Sequence, residues 1–219
     1  MIVVIGSPSF VPGDPSRPST AAGRSIEVAR GAIGGGGRVE LVGKVGDDPA
    51  GDALMLALAD LGIGHAAILR DPARPTPVVA VEVRDDDAFE TEDDDVAPGP
   101  AGPGQPRPTI DAGDLDLALR YLPDHSVLVI AEAIDADGLK VVWADAAYGG
   151  ANVVIIVETS EEIAGFPAGV TVLEAPRDDP DGVFGRTVGR FAAALDEGRP
   201  GPEALAQATQ GDGWLPAGD

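Results

Sequence analysis

The sequence predicts an α/β fold: a largely parallel sheet flanked by helices on both faces, in three α/β/α layers. Two observations carry this. Short, continuous, β-branched runs at residues 2–5, 127–131 and 153–157 read as strands buried on both sides. Segments with helical apolar spacing separate them, and strands alternating with helices pair in parallel because each crossover helix covers the sheet.

Each element follows from its residues. Ile2-Val3-Val4-Ile5 is fully apolar and stops at Gly6-Ser7-Pro8. Residues 7–20 hold Pro8, Pro12, Pro15 and Pro18, which predicts a loop. Residues 22–33 place Ile26, Ala29, Ala32 and Ile33 on one helical face, and Gly34–Gly37 stop that helix in a tight turn. Residues 39–42 form the next strand. Leu54, Leu58 and Leu61 mark a helix over 52–61 that Gly62 and Gly64 end. Residues 78–83 read as a strand. Helices are predicted at 115–122, 137–148, 184–195 and 202–209, and a further strand at 170–174. Phe184, Val188, Phe191 and Leu195 recur at helical spacing in the helix over 184–195, and the leucine stripe of the helix over 52–61 is core.

A single domain over residues 1–210 accounts for the 219-residue length, with 211–219 as a loose tail. Residues 85–95 carry eight carboxylates, and 97–108 alternate Pro and Gly. Together, 85–108 bury too little apolar surface to offset their ordering entropy, which predicts a flexible surface loop. Its acidic part is a solvated run or a docking site for a basic protein partner.

Fifteen basic against thirty-seven acidic side chains give a net charge of −22. That excludes nucleic acid as a partner, since phosphate binding needs Lys and Arg on one face, and it disfavours anionic membranes. The absence of cysteine excludes disulfides, thiol catalysis and Cys-ligated zinc. The N-terminal apolar run is too short for a signal peptide, and no run spans a bilayer, so a cytoplasmic location is expected. His65 and His125 stand alone at element boundaries, and no metal site is expected.

The stretch from Ala22-Gly23-Arg24-Ser25-Ile26-Glu27-Val28-Ala29 through Gly34–Gly37 to Val39-Glu40-Leu41-Val42-Gly43-Lys44-Val45-Gly46-Asp47-Asp48-Pro49-Ala50-Gly51 has a specific order. It resembles the N-terminal signature of the PfkB-type (ribokinase-like) carbohydrate kinases: Gly-Gly-x-x-x-Asn-x-Ala, then a strand, then Gly-x-x-Gly-x-Asp-x-x-Gly. The resemblance implies a ribokinase-like fold. It also implies the family's reaction, transfer of the ATP γ-phosphate to a sugar or nucleoside hydroxyl with Mg²⁺. Gly23, Glu27 and Asp48 then mark what remains of the sugar pocket, although Glu27 stands where the family carries Asn and Ala22 where it carries the first Gly. The sugar-binding Asp that many relatives place close behind the first strand has no counterpart nearer than Asp14.

The family's second motif, Asp-Thr-x-Gly-Ala-Gly-Asp, opens a helix whose backbone N–H groups hold phosphate and whose last Asp takes the substrate proton. The matching segment is Asp179-Pro180-Asp181-Gly182-Val183-Phe184-Gly185-Arg186. Gly182, Val183, Gly185 and Arg186 are the nucleotide-phosphate remnant. Phe184 replaces the second Gly, setting a ring where backbone should approach phosphate, and Gly185 replaces the catalytic Asp. Asp179 and Asp181 are the fallback bases or caps of this helix. Arg186 and Arg190 meet a phosphate or, as the excess of acids favours, pair with carboxylates. The chain is shorter than expected for the family by about a third, and the missing stretch is placed between Val157 and Val170. Glu161 is there a candidate remnant of the metal–phosphate motif Asn-x-x-Glu.

The expectation is therefore a degenerate relative of these kinases without phosphotransferase activity, acting as a binding, regulatory or assembly subunit. The alternative is an active ATP- and Mg²⁺-dependent kinase with a shifted Asp. Dimerisation through the family's strand lid is placed in doubt by the proline-rich loop 7–20.

Overall fold

The computed structural model describes residues 1–79, 106–159 and 166–210. Its order is β1 (Ile2–Ile5), β2 (Ser9–Val11), β3 (Thr20–Ala22), α1 (Arg24–Gly34), β4 (Val39–Gly46), α2 (Pro49–Asp60) and β5 (Gly64–Asp71). Then come α3 (Ala112–Tyr121), β6 (Val127–Ile130), α4 (Ala136–Gly149), β7 (Asn152–Val157), β8 (Thr171–Glu174), α5 (Val183–Asp196) and α6 (Gly201–Ala208). The acidic run 85–95, Glu161 and the tail 211–219 lie outside the described residues.

Six strands form one parallel sheet in the order β5-β4-β1-β6-β7-β8. The side chains of β1 alternate between two cores. Ile2 and Val4 pack with α1, α2, α5 and α6, whereas Val3 and Ile5 pack with α3 and α4. The expected three-layer fold is what forms, because every central strand is apolar on both faces.

Two elements differ from the sequence reading. Within the predicted loop 7–20, β2 and the start of β3 pair antiparallel, with Phe10 opposite Ala21. Phe10 and Ala21 are buried, and Phe10 also bridges to Val78 through Phe10 N–H to Pro77 O and Val79 N–H to Phe10 O. Pro12, Pro15 and Pro18 lie in the arc between these strands, where Asp14 and Arg17 exchange backbone hydrogen bonds, and Pro8 precedes β2. The edge strand β5 is absent from the sequence reading because it is alanine-containing and only half buried, so it lacks the apolar signature of the centre. Of the predicted strand 78–83, only residues 78 and 79 are described.

Helices α1 and α5 cross at backbone contact. A methyl group on Gly31 would overlap the Arg186 backbone, and one on Gly189 would overlap the Val28 carbonyl. Glycine is used at both places for close approach. Phe191 and Val188 anchor α5 in the core beside this crossing.

Candidate functional site

The chain first builds the sheet from β1 toward β5, with α1 and α2 on one face. It then returns to build from β6 toward β8, with α3 and α4 on the other. The connections after β1 and β6 therefore diverge, and such a switch point leaves a crevice at the carboxyl ends of the strands. Gly6 and Ser7 end one strand, and Ala131 and Glu132 follow the other. Ala131 N–H still donates to Ile5 O, and Ser7 N–H donates to Glu132 Oε2 at 3.2 Å.

Glu132 stands between two cavities. One, of about 270 Å³, is lined by Ser7, Thr109, Asp111, Glu132 and Asp135. The other, of about 280 Å³, is more apolar and is lined by Ile134, Leu139, Ile155, Phe166 and Glu158 beside Glu132. Arg24 Nη1 donates to Glu158 Oε1 at 2.5 Å on that side. Burial pushes the Glu132 carboxyl above its ordinary value, outweighing the Ser7 hydrogen bonds and the charges of Arg24 and Arg107.

The N-terminus of α1 reaches the same place. Gly23 precedes it at φ 118° and leaves it without a side-chain cap. Ser25 is fully buried, and its hydroxyl has no hydrogen-bond partner among the described residues. Gly6 lets these parts meet: a methyl group there would stand 2.7 Å from Ser25 Cβ and 3.5 Å from Glu132 Oε1. A carboxyl, an orphan hydroxyl and an uncapped helix start form a set suited to alcohol groups, which both donate and accept.

The start of α5 is occupied from within. Gly182 takes a left-handed conformation at φ 64° before the helix. Asp179 reaches across this turn: its Oδ1 accepts from Phe184 N–H at 3.1 Å and its Oδ2 from Gly185 N–H at 3.2 Å. Arg186 Nη1 donates to Glu27 Oε2 at 2.6 Å, and Glu27 Oε1 lies 3.5 Å from Arg30. Methyl groups on Gly182 and Gly185 would lie 2.6–2.7 Å from Glu27 side-chain atoms. Glu27, assigned by the sequence to the sugar pocket, thus lies against Gly182, Gly185 and Arg186 of the phosphate remnant, with Val183 half buried beside them and Asp181 exposed. The Phe184 ring does not stand over the helix start; it is buried in the core, because its position on α5 faces the apolar stripe.

Asp48 is engaged elsewhere. Its carboxylate caps α2 through Gly51 N–H at 2.8 Å and accepts from the Thr76 N–H and hydroxyl, each at 2.7 Å. Burial raises its proton affinity, but these hydrogen bonds outweigh it and hold the carboxyl below the ordinary value. Methyl groups on Gly46 and Gly51 would run into this knot, which gives the Gly-x-Asp-x-x-Gly spacing a structural cause.

Of the histidines, His65 Nδ1 faces Ile63 O. His125 is buried between Leu122 O and Asp145, with Nε2 2.8 Å from Asp145 Oδ2. Among the described residues, no three His, Cys, Asp or Glu side chains gather as a metal would require, and no helix is long and apolar enough to cross a membrane. Glu132 and Ser25 are the functional candidates that sequence reasoning missed. The available signal was an acid placed directly behind the apolar run 127–131, where the carboxyl end of a parallel strand opens.

Residues 14–94 match the family model described as pfkB family carbohydrate kinase. No curated protein matches the chain in sequence. Among solved structures, the chain is similar to a PfkB protein from Polaromonas sp. JS666, with 16% identity and a TM-score of 0.62, covering 94% of this chain and 92% of that one. It is also similar to ribokinase from Arabidopsis thaliana, determined with ribose and ATP, with 17% identity and a TM-score of 0.59, covering 94% and 89%. At these identities the likeness speaks for the fold. The chain thus carries, over residues 14–94, a segment matching the pfkB family carbohydrate kinases, and its architecture throughout is the ribokinase-like fold.

Proposed function

We propose that this protein binds a small hydroxyl-rich molecule, of the sugar or polyol class, in the crevice between β1 and β6, and that it does not transfer phosphate. It is then a pseudokinase with a binding or regulatory role. The observation that carries the reading is Gly185. At the helix start where relatives of this fold would present a carboxylate, the chain has backbone alone, and Glu27 takes the adjoining space. A hydrogen atom accepts no proton, and a general base must lie within hydrogen-bond reach of the attacking hydroxyl.

Binding is supported by the other half of the site. Glu132 lines both cavities, and the buried Ser25 hydroxyl, at the start of the uncapped α1, lies near it across Gly6; a fully buried hydroxyl without a partner is costly. No step requires ATP or Mg²⁺ in this reading. Were they bound, they would supply the phosphoryl group and neutralise its charge. The residues nearest that task, Arg186 and the α5 amides, already hold Glu27 and Asp179.

Thermal denaturation of the protein with a panel of pentoses, hexoses and polyols, each with and without Mg-ATP, tests the reading. A binding sugar at about 100 times its dissociation constant raises stability by roughly 2.7 kcal/mol. The expected result is a shift with one class of polyol, unchanged by Mg-ATP and lost in Glu132→Gln. A sugar response that appears only together with Mg-ATP would instead favour the second reading, an active kinase using the exposed Asp181.

A further inference from the structure

We infer that the ligand of this crevice carries an apolar substituent about the size of a phenyl ring, and that the apolar cavity beyond Glu132 receives it. The ligand class is then a glycoside with an apolar aglycone, its hydroxyls in the polar cavity and its ring in the apolar one. This rests on the sugar-binding reading and names the ligand class within it.

Three features support it. Among the described residues the two cavities adjoin, because Glu132, Ala133 and Ile134 line both. Their chemistry changes across that border. Ser7, Thr109, Asp111 and Asp135 face the one, whereas Leu139, Ile155 and Phe166 face the other. Size is the third. At about 270 and 280 Å³ neither cavity reaches the roughly 300–1,000 Å³ of small-molecule sites, whereas a ligand spanning both falls within that range. The apolar cavity by itself exceeds the roughly 150 Å³ that holds a benzene ring.

Its walls belong to the regular elements of the fold. Ile155 is buried on β7, Ile134 precedes α4, and Leu139 lies in the first turns of that helix. Phe166 meets Trp143 edge-on, with ring centroids 6.2 Å apart and planes at 73°. Ile134, Leu139 and Phe166 pack on the second core yet stay only half buried. The apolar surface they leave at the cavity is what an apolar group covers, and taking it from water is favourable. Glu132 and Glu158 also line the cavity, so a phosphorylated or carboxylated substituent meets like charge there.

Calorimetric titration of the full-length protein with free pentoses and hexoses, their methyl glycosides, their phenyl glycosides and phenol alone tests this. For the sugar that binds, the phenyl glycoside is expected to bind about tenfold or more tighter than the methyl glycoside, the gain from burying a ring-sized apolar group. Its binding also changes the fluorescence of Trp143, read in a Trp214→Phe protein that has no other tryptophan. Leu139→Trp, which fills the cavity, removes the difference between phenyl and methyl glycosides. Phe166→Ala, which takes away part of the wall, diminishes that difference and decides the matter if the first variant does not fold. Sugars or methyl glycosides that bind while phenyl glycosides bind no tighter would overturn the inference and leave the sugar-binding reading standing. A phenyl advantage that persists in both variants would overturn it too, by placing the ring elsewhere. Phenol binding as tightly as the phenyl glycosides, or no binding by any probe, would overturn both.

Discussion

Glu27 and Gly185 share one space between α1 and α5: a methyl group on Gly185 would stand 2.7 Å from Glu27 Cβ. Each residue departs from the kinase signature, and the two departures fit each other. A glutamate reaching across from α1 is accommodated because α5 offers no side chain there, and its charge is met by Arg186. Reinstating the family's aspartate is therefore not a single change.

Gly185→Asp is expected to destabilise the fold by about 1–3 kcal/mol, the usual cost of forcing atoms into a packed crossing. It is also expected to restore no phosphotransfer. Combining it with Glu27→Gly should cost less than the sum of the two single changes, since the contacting atoms are then gone. Urea denaturation of the four proteins in this cycle measures the coupling.

Glu132 is expected to act against stability and in favour of binding. Its folded-state proton affinity is raised by burial, so it favours the fold while protonated, and that contribution is lost as pH rises through the raised value. Glu132→Gln should thus be neutral or stabilising at pH 7, by up to about 1 kcal/mol, while abolishing polyol binding. Parallel thermal melts at pH 5 and pH 7 check the sign: the variant's advantage must shrink at the lower pH.

Asp48 has the opposite sign. Its carboxyl is held below the ordinary value of 3.8, so its contribution is complete above that value and is lost as pH falls through the lowered one. Asp48→Ala should cost about 1–2 kcal/mol at neutral pH through the lost α2 cap. Acid titration of stability, wild type against variant, should show the difference vanish toward the acid end.

Phe191 is 2% exposed in the core between the sheet and α5, whereas Leu56 is 70% exposed on α2. Phe191→Ala is expected to cost about 3–5 kcal/mol. Leu56→Ala should stay within about 0.5 kcal/mol. Denaturation midpoints of the two variants measure the contrast.

The central strands and amphipathic helices were legible in the sequence because burial on both faces imposes a continuous apolar run and helical burial imposes its own period. The edge strand β5 and the β2–β3 pair were not, since short, half-buried strands carry neither signal. The degenerate residues Phe184 and Gly185 could be located from their neighbours. What fills the space could not. That Glu27 meets Gly185 and Arg186, that Asp179 bonds the first amides of α5, and that the Phe184 ring turns into the core are long-range or rotameric facts with no local pattern. Glu132 lay in plain view behind a strand, but only the switch in strand order, which brings β6 beside β1, makes that position a crevice.

The most direct test is transfer of radiolabelled γ-phosphate from Mg-ATP to a panel of sugars and nucleosides, with protein at enzyme-stoichiometric concentration so that even one turnover is seen. The account predicts no labelled product above the protein-free background with any acceptor, for the wild type and for Asp181→Asn alike. Labelled sugar formed by the wild type and lost in Asp181→Asn would contradict it.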